Sequence, residues 1–170
     1  MNYLVLSSKN LTEFPDNLSN TITHLYLSYN QITKIPDNLP NTLIGLHLSN
    51  NQIKEIPDNL PNGLRYLDLS NNQITKIPDN LSNTITHLYL SNNQIKKIPD
   101  NLSNTIIYLY LGNNQIEYSL NKYKKYNLPK NIKFFDTKQE IKNYIKNKIK
   151  PIINLLPESY LINNISDFLY

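Results

Sequence analysis

The chain has 170 residues, a net charge of +4 and no cysteine, which allows one continuous core and excludes disulfides, thiolate metal sites and a cysteine nucleophile. Alanine and tryptophan are absent, while asparagine, isoleucine, lysine and tyrosine are abundant; these residues have AT-rich codons, so the bias reports the genome rather than the function. No run approaches the ~20 apolar residues of a membrane span, and the first apolar run, Tyr3 to Leu6, is too short for a signal peptide, so an intracellular protein is expected.

Taken in chain order, the first element is a coil carrying Leu4, Leu6 and Leu11, with Lys9 where later coils have asparagine. From there the chain repeats every 21 residues: Leu25, Leu46, Leu67, Leu88 and Leu109; then Leu27, Leu48, Leu69, Leu90 and Leu111; then Asn30, Asn51, Asn72, Asn93 and Asn114; then Ile32, Ile53, Ile74, Ile95 and Ile116. A solenoid follows from self-similarity at a fixed period. Its L-x-L segments read as short strands with leucines inward and the flanking residues outward, because strand side chains alternate. One such strand cannot bury its face alone, so neighbouring coils must stack. The asparagine column is expected to bond backbone groups of its own turn and of the next coil, forming a ladder. Ile-Pro after it removes a backbone donor and fixes φ, which predicts an extended or 3₁₀ convex side. The Tyr3–Ser7 edge, with no coil before it, is a template for pairing and so for self-association.

After Ile116 the register slips by five residues, and Leu128-Pro129, Ile132 and Phe135 realign with Leu39-Pro40, Leu43 and Leu46. Residues 1–137 therefore read as six coils and a partial seventh. Residues 138–170 read as a helical cap: Thr137-Lys138-Gln139-Glu140 has the capping-box form, Ile141, Ile145 and Ile149 make one stripe, and Pro151 ends it. Residues 1–116 hold seven basic against eight acidic side chains, a net of −1, whereas residues 117–170 hold ten against five, a net of +5. Lys138, Lys142, Lys146 and Lys150 form an i+4 stripe, the place where nucleic acid or an anionic membrane would bind in an alternative reading as a basic adaptor. A single arginine and the lack of a nucleic-acid motif weigh against it.

The repeated L-x-x-L-x-L-x-x-N-x-I resembles the leucine-rich repeat family over residues 3 to 137. That resemblance implies a right-handed α/β-type superhelix with short parallel strands on a concave face. The short unit with Ile-Pro is similar to the compact repeats of secreted bacterial effectors. In one branch of those, repeats precede a ubiquitin-ligase domain with a catalytic cysteine, which this chain lacks. The composition resembles repeat proteins of giant amoeba-infecting viruses such as mimivirus.

The outward columns carry the functional signal. Before the central leucine stand Tyr3, His24, Gly45, Tyr66, His87 and Tyr108; after it stand Val5, Tyr26, His47, Asp68, Tyr89 and Tyr110. All three histidines and six of the 13 tyrosines fall here, and none of the 16 lysines does. Tyrosine favours sheets on propensity alone, but a column that excludes lysine in a lysine-rich chain needs another reason. Rigid aromatics with polar tips are what interfaces use, so Tyr3, His24, Tyr26, His47, Tyr66, Asp68, His87, Tyr89, Tyr108 and Tyr110 are the candidate partner-binding residues, and the partner is expected to be another protein. The strip measures roughly 29 by 16 Å, near 450 Å², against about 800 Å² per partner in a standard interface. A nucleophilic set of His47, Asp68, Tyr89 and Ser49 on an open face has neither oxyanion hole nor water-excluding pocket. Zinc at His24, His47 and Asp68 would lack a supported shell. The expectation is therefore no enzyme and no cofactor.

Overall fold

Three-residue parallel strands recur at every repeat in the computed structural model, which describes residues 2–116 and the strand Lys133–Phe135. They are β1 (Tyr3–Val5), β2 (His24–Tyr26), β3 (Gly45–His47), β4 (Tyr66–Asp68), β5 (His87–Tyr89), β6 (Tyr108–Tyr110) and β7 (Lys133–Phe135), hydrogen-bonded in chain order into one sheet. From β1 to β6 the register advances by one repeat per strand, as in Leu25↔Leu46 and Leu46↔Leu67. These six strands bound five 21-residue turns of a parallel-strand β-solenoid, within a compact unit of Met1–Phe134.

Two expectations are corrected. Among the described residues the return path is extended, irregular chain with short turns, as the Ile-Pro steps predict; neither α- nor 3₁₀-helix occurs there, so the α/β type that the family resemblance implied does not hold. The physical reason is length and proline. Few residues separate one strand from the next, and each return from β1 to β6 carries a proline, at Pro15, Pro36, Pro57, Pro78 or Pro99, that cannot donate to a helical ladder. The return path is instead held coil to coil, with Gln31, Gln52, Gln73 and Gln94 donating backbone N–H groups to Leu11, Ile32, Ile53 and Ile74 of the coil before. The seventh strand is centred on Phe134, one residue ahead of the Phe135 that the repeat alignment placed opposite Leu46. The proposed helical cap at 138–170 lies outside the described residues.

The core is a stack of identical layers. Leu25, Leu27, Leu46, Leu48, Leu67, Leu69, Leu88, Leu90, Leu109 and Leu111 are fully buried, as are Ile32, Ile53, Ile74 and Ile95. Each such side chain contributes about 1.5–3 kcal/mol when removed from water. In the first coil Leu4, Leu6 and Leu11 are only partly buried, because they pack against a neighbour on one side.

The asparagine ladder exists, but it points to the preceding coil rather than the next. Asn51 donates Nδ2 to Leu48 O of its own coil and to Leu27 O of the coil before, both at 3.0 Å, and accepts Ile32 N at 2.9 Å. Asn72 repeats this with Leu48 O, Leu69 O and Ile53 N, and Asn93 with Leu69 O, Leu90 O and Ile74 N. At the start of the ladder Asn30 Oδ1 accepts the backbone N–H groups of Lys9 and Leu11, each at 3.0 Å. The residue before each ladder position sits in the left-handed region: Asn50, Asn71, Asn92 and Asn113 at φ between 55° and 58°, and also Ser8 at 58° and Tyr29 at 59°. That bend turns the next side chain inward, and asparagine tolerates it better than most residues.

Candidate partner-binding face

From β2 to β6 each strand buries its middle leucine, so the residues on either side of it project from the opposite face of the sheet. Parallel in-register pairing then lines up chemically related side chains one strand spacing apart, and the rings stack. Tyr26 lies on His47 with centroids 4.4 Å apart and planes 8° from parallel. Tyr89 lies on Tyr110 at 4.7 Å and 16°. In the other column Tyr66, His87 and Tyr108 form a continuous run at 4.3 and 4.7 Å. The sequence-derived columns are thus brought together as two aromatic ladders, with Tyr3 and Val5 on the end strand as their most exposed members.

Two positions interrupt the ladders, in different ways. Gly45 is covered: a Cβ placed there would stand 2.6 Å from His24 Cδ2, so the absence of a side chain lets the His24 ring lean over the next coil. Asp68 is half-buried between the two stacks of the second column, with His47 paired to it on one side and Tyr89 on the other. Its Oδ1 accepts the Ser70 backbone N–H at 3.0 Å, which holds the carboxylate upright beside its own strand.

Threonines orient two of the imidazoles. Thr23 Oγ1 donates to Asn2 O and also lies 3.1 Å from His24 Nδ1. Thr86 Oγ1 donates to Arg65 O and lies 2.8 Å from His87 Nδ1. A hydroxyl has one proton to give, so when it goes to the carbonyl oxygen the ring donates Nδ1–H to the threonine, and when it goes to Nδ1 the ring carries its proton on Nε2. Burial lowers the pKa of His87. Burial also lowers that of His47, where nearby Asp68 opposes the shift and His24 adds to it. The Tyr89 hydroxyl is pushed up by burial, then by Tyr110, Asp68, Tyr66 and Tyr108. All three shifts favour the uncharged form of the ring.

The arrangement weighed for nucleophilic chemistry is not assembled as a relay. Ser49 Oγ donates to Ser28 Oγ at 3.0 Å, along the serine column, and Asp68 acts on His47 through space. Among the described residues no group of three histidine, aspartate or glutamate side chains is placed to hold a metal ion, so His24, His47 and Asp68 do not form one. Lys138, Lys142, Lys146 and Lys150 lie outside the described residues. Tyr29 was missed by the column reading: it is 64% exposed just beyond β2, at φ 59°. The signal was present, since Tyr29 stands where four later coils carry asparagine. Thr23 and Thr86 were also missed, for hydroxyl contacts leave no trace in periodicity.

Comparison with known proteins agrees with this geometry. A leucine-rich repeat profile of two copies matches residues 41–83, and a single-repeat profile matches 21–42 and 84–105. Together they run without a gap from 21 to 105, half of the chain. No curated protein matches the sequence. Among solved structures the chain is similar to the functional domain of InlJ of Listeria monocytogenes, described as including a cysteine ladder (21% identity, TM-score 0.57, 74% of this chain and 27% of that one). It is similar to a leucine-rich repeat protein of Leptospira interrogans (24%, 0.56, 68% and 37%) and to the internalin InlF of Listeria monocytogenes (23%, 0.57, 69% and 35%). The chain thus spans well under half the length of these three, and at such identities the likeness is one of fold. Repeat profile, strand register and asparagine ladder agree: the chain belongs to the leucine-rich repeat family.

Proposed function

We infer that the chain is a protein-interaction module, acting inside the cell, whose partner seats on the Tyr/His concave face. Leucine-rich repeat proteins commonly mediate protein–protein interaction. The observation that carries the reading here is the pair of stacked ring ladders built from positions that the fold leaves free to vary. Stacked rings have few rotamers left to lose, so a partner ordering them gives up little entropy, and their hydroxyl and imidazole edges offer hydrogen bonds at the rim. The small strip area argues for a modest affinity, or for contacts that extend to the flanks.

The test is an affinity capture from lysate comparing wild type, Tyr66→Ala/Tyr89→Ala and Lys142→Glu/Lys146→Glu. The concave double variant is expected to lose a specific protein, at more than ten-fold reduced recovery, while its circular dichroism is unchanged. Loss in the lysine variant alone, with nucleic acid or lipid as the catch, transfers the function to the C-terminal region.

A further inference from the structure

The two gaps in the aromatic columns differ, and the second has the chemistry of a small site. At Gly45 the neighbouring His24 ring fills the gap. At Asp68 no ring intervenes: the Tyr26–His47 stack ends on one side and the Tyr89–Tyr110 stack on the other. One ring face of His47 and one of Tyr89 are therefore turned toward each other across the carboxylate. Tyr66, in the other column of the same strand and 38% exposed, stands beside it. Asp68 is also the sole carboxylate in the twelve column positions, and no lysine or arginine occupies any of them.

We propose that this slot, with Asp68 as floor and His47, Tyr89 and Tyr66 as walls, is a recognition pocket for a lysine ammonium group on the partner protein. The inference rests on the interaction-module reading and names the chemistry of its central contact. Two strand spacings separate the facing rings by about 9.6 Å, so a cation midway lies about 4.8 Å from each ring plane. That is inside the ~6 Å over which an aromatic face attracts a cation. A flat guanidinium stacked on one ring at about 3.5 Å leaves the other about 6 Å away, whereas a round ammonium sits within reach of both and a trimethylated one fills the space between them. The carboxylate supplies the countercharge, and its bond from Ser70 N–H fixes it in place without neutralising it. The lack of basic side chains on the face leaves the slot open to a cation supplied by the partner.

The experiment titrates the full chain with capped tripeptides whose central residue is trimethyllysine, lysine, arginine or glutamine, at constant ionic strength, following the ring resonances of His47, Tyr66 and Tyr89 by NMR. Saturable shifts are expected in the order trimethyllysine, lysine, arginine, with none for glutamine. Asp68→Asn keeps the side-chain oxygen that accepts Ser70 N–H and should weaken the lysine peptides about five-fold; Tyr89→Ala should do so to a similar extent. Asp100→Asn, a carboxylate paired with Lys97 on the return path, should leave binding unchanged. Equal shifts from the glutamine peptide, or undiminished affinity in Asp68→Asn, overturn the proposal. So does Asp68-dependent retention on phosphatidylcholine vesicles without binding of the lysine peptides, which would assign the slot to a lipid headgroup. If the peptides fail while Tyr66→Ala/Tyr89→Ala still loses its captured protein, the slot is refuted and the interaction-module reading stands.

Discussion

The inward and outward columns of this solenoid are made by the same strands and obey opposite rules. Inward, every coil from the second on repeats leucine, leucine, asparagine and isoleucine, and the structure buries them in like layers, with Asn114 half-buried. Outward, tyrosine, histidine, glycine and aspartate alternate without a fixed order, although the backbone beneath them does not change. A position that is invariant across coils answers to a neighbour that is also repeated. A position that varies across coils answers to something that is not repeated, and a partner surface is such a thing.

The largest blow to this comparison comes from the inward side. Asn72→Ala removes the partner of three backbone groups, Leu48 O, Leu69 O and Ile53 N, in the buried part of the stack. Unsatisfied buried groups cost about 1–3 kcal/mol each, so a loss of about 3–5 kcal/mol in urea unfolding is expected. Leu67→Ala, fully buried, should lose a similar amount through the cavity it leaves. A loss below about 1 kcal/mol for either would mean that the layers relax independently and that the repetition is not structural.

On the outward side the balance reverses. Tyr66→Ala/Tyr89→Ala breaks the ring pairs with His87 and Tyr110, at about 0.5–1.5 kcal/mol each. The expected outcome is a folded protein, destabilised by about 1–3 kcal/mol, that has lost its partner. Denaturation as deep as that of Asn72→Ala would reassign the ladders to stability and erase the distinction between the two faces.

How much of this was legible beforehand follows from the same distinction. Whatever repeats is readable by superposing the chain on itself, so the strands, their register, the buried leucines and the ladder column all came from spacing alone. The reach of Asn51 to the coil before it, rather than the one after, did not, because both directions have the same period. The extended return path was legible in the recurring Ile-Pro steps; the α/β type that the family resemblance implied did not hold among the described residues. In the candidate site, membership of the columns was readable but geometry was not: that His24 leans over Gly45 while Asp68 keeps its gap depends on side-chain torsions.

Tyr29 tests the boundary between the two rules. It holds the left-handed bend at φ 59° where Asn50, Asn71, Asn92 and Asn113 hold the others, and a bulky side chain is strained there by roughly 1–2 kcal/mol. Tyr29→Asn should therefore stabilise the protein by about 0.5–1 kcal/mol in thermal or urea melts. If the stabilised variant also loses its captured partner, Tyr29 extends the binding face and the strain is retained for function. Unchanged capture would confine the face to the strand columns.

The smallest effect expected is a pH dependence, and it separates burial from charge within the outward columns. Burial, joined by the neighbouring imidazole of His24 and opposed by Asp68, holds the His47 pKa below its ordinary value. Between that ordinary value, about 6.5, and the lowered folded value, the unfolded chain binds the proton that the folded chain refuses. Stability is thus full above about pH 7 and declines as the pH falls through this window; His87, lowered by burial, adds in the same sense. Substituting His47→Gln should flatten the decline without abolishing it, leaving the His87 share. Asp68→Asn should steepen it instead, because the one group raising the His47 pKa has gone and the refusal begins to extend to lower pH. A steeper slope in Asp68→Asn together with a flatter one in His47→Gln would place the carboxylate and the imidazole in electrostatic contact on the open face. Parallel slopes in all three proteins would instead mean that the two side chains sit in register without sensing each other.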